Sequence, residues 1–111
     1  MSSDKKTTIQ NLKDLVASFV QERDWEQFHS LKSLSMSIAI EAAELMEIFQ
    51  WSDKGSDDEN IEKVKEELSD VIIYCLCVAN KTGIDLATVI KNKVAANALK
   101  YPVEKYIGRY Q

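Results

Sequence analysis

Residues 34–50 read Leu-Ser-Met-Ser-Ile-Ala-Ile-Glu-Ala-Ala-Glu-Leu-Met-Glu-Ile-Phe-Gln, and their only charges are Glu41, Glu44 and Glu47. Helical residues three apart lie about 60° from one another and one turn along the axis. Glu41 and Glu44 therefore stand side by side on one face. Most of the remaining circumference is apolar, apart from Ser35 and Ser37, which places such a helix centrally or at a subunit interface. A second acidic pair, Glu67-Leu-Ser-Asp70, follows after residues 45–66, directly ahead of the uncharged run Val71 to Ala79. That separation suits an antiparallel helical hairpin with a loop. Two such helices facing each other gather four carboxylates, and gathered acids need cations. A hard divalent ion such as Mg²⁺, completed by phosphate oxygens, fits that chemistry.

The rest of the chain extends this all-α reading. Its 111 residues suit a single domain, 1–111. Three Gly and one Pro are too few breakers for a chain of short strands and turns. Four helices are expected, at about 8–22, 33–50, 58–81 and 85–99. In the first, Ile9, Leu12, Leu15, Val16, Phe19 and Val20 recur at 3–4 spacing as a buried stripe. Ser30 or Ser33 caps the second, and Asp57 or Asp58 begins the third, after a polar loop from Trp51 to Asn60. Gly83 ends the third helix and Asp85 caps the fourth. Leu86, Val89, Ile90 and Val94 are expected to face inward, and the helix stops before Tyr101-Pro102. Residues 1–7 read as a disordered lead, and 103–111, with Tyr106 and Tyr110, as a tail.

The formal charge of −4 argues against a nucleic-acid groove, although bound metal ions can reverse the local charge for a nucleotide. No apolar run is long enough to span a membrane, and the start lacks a secretory segment. Cys75 and Cys77 fall on different sides of a helix and suit small core side chains in a reducing, cytoplasmic setting. His29 is the only histidine, so the paired Glu-x-x-His motifs of di-iron bundles are missing. Without a Gly-rich phosphate loop, any phosphate must be held by metals and lysines. Trp25, Phe28, His29 and Trp51 flank the acid-bearing helix. Aromatics most often simply pack, but planar groups there can stack on a nucleobase while His29 hydrogen-bonds to it.

Five blocks occur in order: Arg23-Asp24-Trp25-Glu26-Gln27-Phe28-His29; Glu41-x-x-Glu44-x-x-Glu47; Phe49-Gln50-Trp51; Glu67-Leu68-Ser69-Asp70-Val71-x-x-Tyr74; and Lys93-x-x-x-Asn97-x-x-x-Tyr101-Pro102. The set resembles the MazG-like all-α nucleoside triphosphate pyrophosphohydrolases, in particular their small dCTP pyrophosphatase branch. The resemblance implies a four-helix MazG-like bundle that hydrolyses a nucleoside triphosphate to monophosphate and pyrophosphate with Mg²⁺. It implies metal ligands at Glu41, Glu44, Glu67 and Asp70, with Glu41 or Glu44 taking the proton from water. Substrate contacts fall on Trp25, Phe28, His29, Trp51, Tyr74, Lys93 and Asn97. It further implies a homotetramer, a dimer of dimers, while the charge and the lack of a long apolar run lead one to expect neither nucleic acid polymers nor membranes as partners. Relatives carry a histidine where this chain has Val16, which leaves the preferred base open. A non-catalytic nucleotide- or partner-binding bundle and a dUTPase-like hydrolase are the alternative readings.

Overall fold

Short polar side chains set the helix starts. Thr8 Oγ1 accepts from the Asn11 amide at 3.0 Å, and Asn11 Oδ1 accepts from the Thr8 amide at 2.9 Å. This reciprocal box opens α1 (Ile9–Glu22). Ser30 and Ser33 make the same exchange, both bonds at 3.0 Å, so Ser30 is the cap of α2 (Leu31–Glu47). Asp85 accepts from the Thr88 amide at 3.1 Å and opens α4 (Leu86–Lys100). Helix α3 (Ile61–Thr82) ends at Gly83, whose φ of 74° is the left-handed C-cap conformation that glycine adopts without strain. A one-turn α5 (Val103–Tyr106) follows Pro102.

The computed structural model describes residues 1–51 and 60–108. Asp57, Asp58 and Tyr110 lie outside them. Among the described residues the chain has four main helices and no strand, as the composition leads one to expect. Helix α2 stops three residues short of Gln50, because its end tightens into i→i−3 bonds: Phe49 to the Met46 carbonyl at 3.0 Å and Gln50 to Glu47 at 3.2 Å. The lead is not featureless either, since the Ser3 carbonyl accepts from the Lys6 and Thr7 amides at 3.1 and 2.8 Å.

The aperiodic connector after α1 is ordered by local chemistry. Asp24 adopts a left-handed φ of 53°, a conformation that Asp tolerates better than most residues, and turns the chain into a 3₁₀ helix, Trp25–Phe28. The Arg23 guanidinium lies 3.8 Å over the Phe19 ring and donates to the Phe19 carbonyl at 3.0 Å. Trp25 meets the same ring edge-on, centroids 5.5 Å apart.

Helices α2 and α1 both pack on α3, around Val20, Leu34 and Cys77, with Val16, Tyr74 and Val78 against them. Leu34 is only 1% exposed. Leu34→Ala should cost about 2–5 kcal/mol, the usual range for a buried leucine. An unchanged urea midpoint would contradict that packing.

Two expectations about burial need correction. Of the α1 stripe only Val20 is fully buried. Leu12, Leu15 and Phe19 instead line an open apolar groove of about 690 Å³ with Leu68, Ile72 and Ile73 of α3. Helix α4 turns away from α3 at 105°, its corner tied to α1 by Lys13 Nζ donating to the Ile84 carbonyl at 2.9 Å and Asn80 Nδ2 donating to the Lys13 carbonyl at 3.0 Å. Leu86 is half-buried, but Val89, Ile90 and Val94 are exposed rather than inward, Val94 by 62%. Periodicity marks an apolar face; it does not say that the same chain covers it.

Candidate metal centre

Helix pairing aligns the acids in rungs. Helices α2 and α3 lie side by side and bring one carboxylate oxygen each from Glu41, Glu67 and Asp70 within 4.8 Å of one another. Glu44 sits beside this trio, hydrogen-bonded to the carboxyls of both Glu41 and Glu67. All four acids singled out by their spacing therefore meet. The next rung holds Glu47 and Lys63, which share a hollow of about 270 Å³ with Glu44, Ile48 and Glu67.

Glu41 Oε2 and Glu67 Oε2 are shut off from water without a hydrogen-bond partner, an arrangement that costs free energy unless something binds there. The hydrogen bond with Glu44 raises the Glu41 pKa from 4.5 to about 7, helped by burial and by the charges of Glu44, Asp70 and Glu67. Burial, then the hydrogen bond with Glu44, pushes the Glu67 carboxyl upward as well. Like charges pressed together in this way favour a bound cation. Two shielded, unpartnered carboxylate oxygens amid further oxygen donors fit a hard divalent ion such as Mg²⁺.

The aromatic residues divide. Trp25, His29 and Tyr74 line the apolar groove together. Phe28 and Trp51 are exposed by 66% and 88%, so the single chain does not bring them into that groove. Lys93 and Asn97 lie on α4, fully on the exposed part of the chain, and are likewise not carried to the acids by their own subunit. Val16 lies where the groove meets a second hollow of about 370 Å³, whose polar wall includes Gln21, Glu26, His29 and Lys81.

Lys63 is the residue that sequence reasoning missed. A lysine in the charged first half of α3 has solvent exposure as its default, and the signal was its position four residues before Glu67, on the same helical face.

These elements define a class: an all-α protein with a carboxylate centre shared between two paired helices. The MazG-like family model matches residues 36–109, a stretch that contains both acidic pairs, and the chain belongs to the MazG-like family. It is 36% identical to dCTP pyrophosphatase 1 of Rattus norvegicus over 102 residues and 36% identical to that of Homo sapiens over 101. Each match covers 86% of this chain, and 60% and 59% of the respective relative. The chain thus spans about 60% of the length of the curated relatives it matches. It also resembles the crystal structure of a pyrophosphatase from Archaeoglobus fulgidus DSM 4304, with a TM-score of 0.75 and 39% identity over 85% of this chain and 92% of that one.

Proposed function

We propose that the protein is a Mg²⁺-dependent nucleoside triphosphate pyrophosphohydrolase acting on dCTP or a related deoxynucleotide. The observation that carries this reading is the acidic trio with its two buried, unpartnered oxygens. The names of the dCTP pyrophosphatases and of the archaeal pyrophosphatase support the chemistry. Glu41, Glu67 and Asp70 hold the metal, with Glu44 alongside. Bound Mg²⁺ would neutralise the triphosphate and make phosphorus easier to attack. Glu44, hydrogen-bonded to two of the other acids but outside the tight trio, is placed to take the proton of the attacking water at a carboxylate oxygen. The bridge between the α and β phosphates breaks, giving monophosphate and pyrophosphate. Trp25, His29 and Tyr74 form the wall on which the base rests. The free thiols of Cys75 and Cys77 suit a cytoplasmic location.

Lys93, Asn97, Phe28 and Trp51 act, in this proposal, at sites completed by neighbouring copies in a homotetramer. On α4, Val89, Ile90, Val94 and Leu99 are all exposed, an apolar face of the kind that subunit contacts cover. Sedimentation should therefore give about four chains per particle, and Ile90→Glu should lower that number. A monomeric wild type at micromolar concentration would contradict the assembly.

The substrate panel is the test of function: the eight common ribo- and deoxynucleoside triphosphates and dUTP, each with Mg²⁺, products identified by chromatography. Pyrophosphate release with a preference for dCTP over dUTP supports the proposal. A preference for dUTP favours the dUTPase-like alternative, and no release from any nucleotide favours the non-catalytic bundle.

A further inference from the structure

The hollow next to the acidic quartet has an unbalanced wall. Of its five lining residues three are acids, Glu44, Glu47 and Glu67, and one is a cation, Lys63. Among the described residues the side-chain ion pair is Lys65 with Glu62 at 2.8 Å. No described residue thus pairs with the Lys63 ammonium, although three carboxylates share its hollow. Lys63 and the three carboxylates instead line about 270 Å³ of open space. Once cations occupy the acids, the wall facing Lys63 becomes positive, and the group that fits between two positive walls is an anion.

The order of groups along α3 gives that anion an orientation. Tyr74 lies in the aromatic groove, Asp70 and Glu67 lie in the acidic trio, and Lys63 follows one turn further toward the N-terminus. Residues 63 to 74 span about 16 Å of helix, a length that an extended nucleoside triphosphate can follow. Lys63 also falls in the first turn of α3, where the helix dipole favours negative charge.

Building on the proposed hydrolase reading, we infer that Lys63 binds the two outer phosphates, the departing pyrophosphate, and fixes the direction in which the nucleotide lies along α3. The base points toward Tyr74 and the terminal phosphate toward Lys63. A charge-assisted contact of this kind is direct, so Arg should replace Lys with little loss and Met should not.

Calorimetric titration of the 111-residue chain with magnesium pyrophosphate tests this, using wild type, K63M, K63R and K65M, with circular dichroism on each to verify the fold. K63M should weaken binding about tenfold or more, K63R should stay near wild type, and K65M should match it, because Lys65 lies outside the hollow. Equal affinity of K63M and wild type would overturn the inference, as would an equal loss in K65M, which would reduce the effect to net charge. Nucleotide hydrolysis by the same wild-type preparation separates the two possible failures. Hydrolysis with pyrophosphate binding indifferent to Lys63 sinks this inference alone, whereas no hydrolysis of any nucleotide sinks the parent reading with it.

Discussion

Glu41→Gln should lower pyrophosphate release by ~10²–10⁴-fold and at the same time raise the melting temperature of the metal-free protein at neutral pH. Both effects have one cause. Glu41 carries a shielded oxygen with no partner and faces Glu44, Glu67 and Asp70 at close range. The neutral amide keeps the shape and removes the repulsion, so the empty fold gains. The same amide is a poor ligand for a hard cation, so the reaction loses. Such opposition between stability and activity is common where a site is held under strain for function. Asp70→Asn should behave alike. Substitutions that left activity within about twofold of wild type would be far below the scale of a lost catalytic group and would remove these acids from the mechanism.

The second large effect is a dependence of stability on pH that magnesium reverses. Glu41 titrates near pH 7 in the folded chain against an ordinary value of 4.5, and Glu67 is displaced in the same direction. Between those values the folded chain holds protons that the unfolded chain has released. Stability must then fall as pH rises from about 4.5 to 7, because the slope follows the protons bound by the unfolded chain minus those bound by the native one. Below that window both states are protonated and these groups contribute no slope. Magnesium needs the deprotonated carboxylates, so its stabilisation grows over the same window. At a hundred times its dissociation constant a ligand contributes about 2.7 kcal/mol. Thermal melts across pH 5 to 8, with and without excess magnesium, should therefore diverge steadily. A metal-free protein whose stability rose through that range would contradict the electrostatics of the quartet.

The parts of the fold that sequence revealed are those decided within a few residues. Ser30, Gly83 and Asp85 each act on backbone within a turn or two, and their residue types announce it. The acidic rungs were readable for a similar reason: helical spacing fixes each pair, and the loop length sets the two helices against each other. What sequence did not reveal depends on which surfaces meet. Val89, Ile90 and Val94 form an apolar face by spacing, yet that face is open because α4 leaves the corner at Gly83 by 105°. Phe28 and Trp51 look like half of an aromatic clamp in a linear reading, and both stand exposed in the single chain. Lys63 was invisible for the opposite reason. Nothing about a lysine between Glu62 and Val64 sets it apart until Glu47 is brought across from α2.

The proposal is that Glu41, Glu67 and Asp70, with Glu44 beside them, hold divalent cations against a triphosphate. Its most direct test is pyrophosphate release from dCTP by chelator-stripped protein as Mg²⁺ is titrated back. No release is expected without metal and saturable recovery with it, yielding dCMP and pyrophosphate in equal amounts, with no recovery in Asp70→Asn. Release that persists in the chelator, or full recovery in Asp70→Asn, would contradict it.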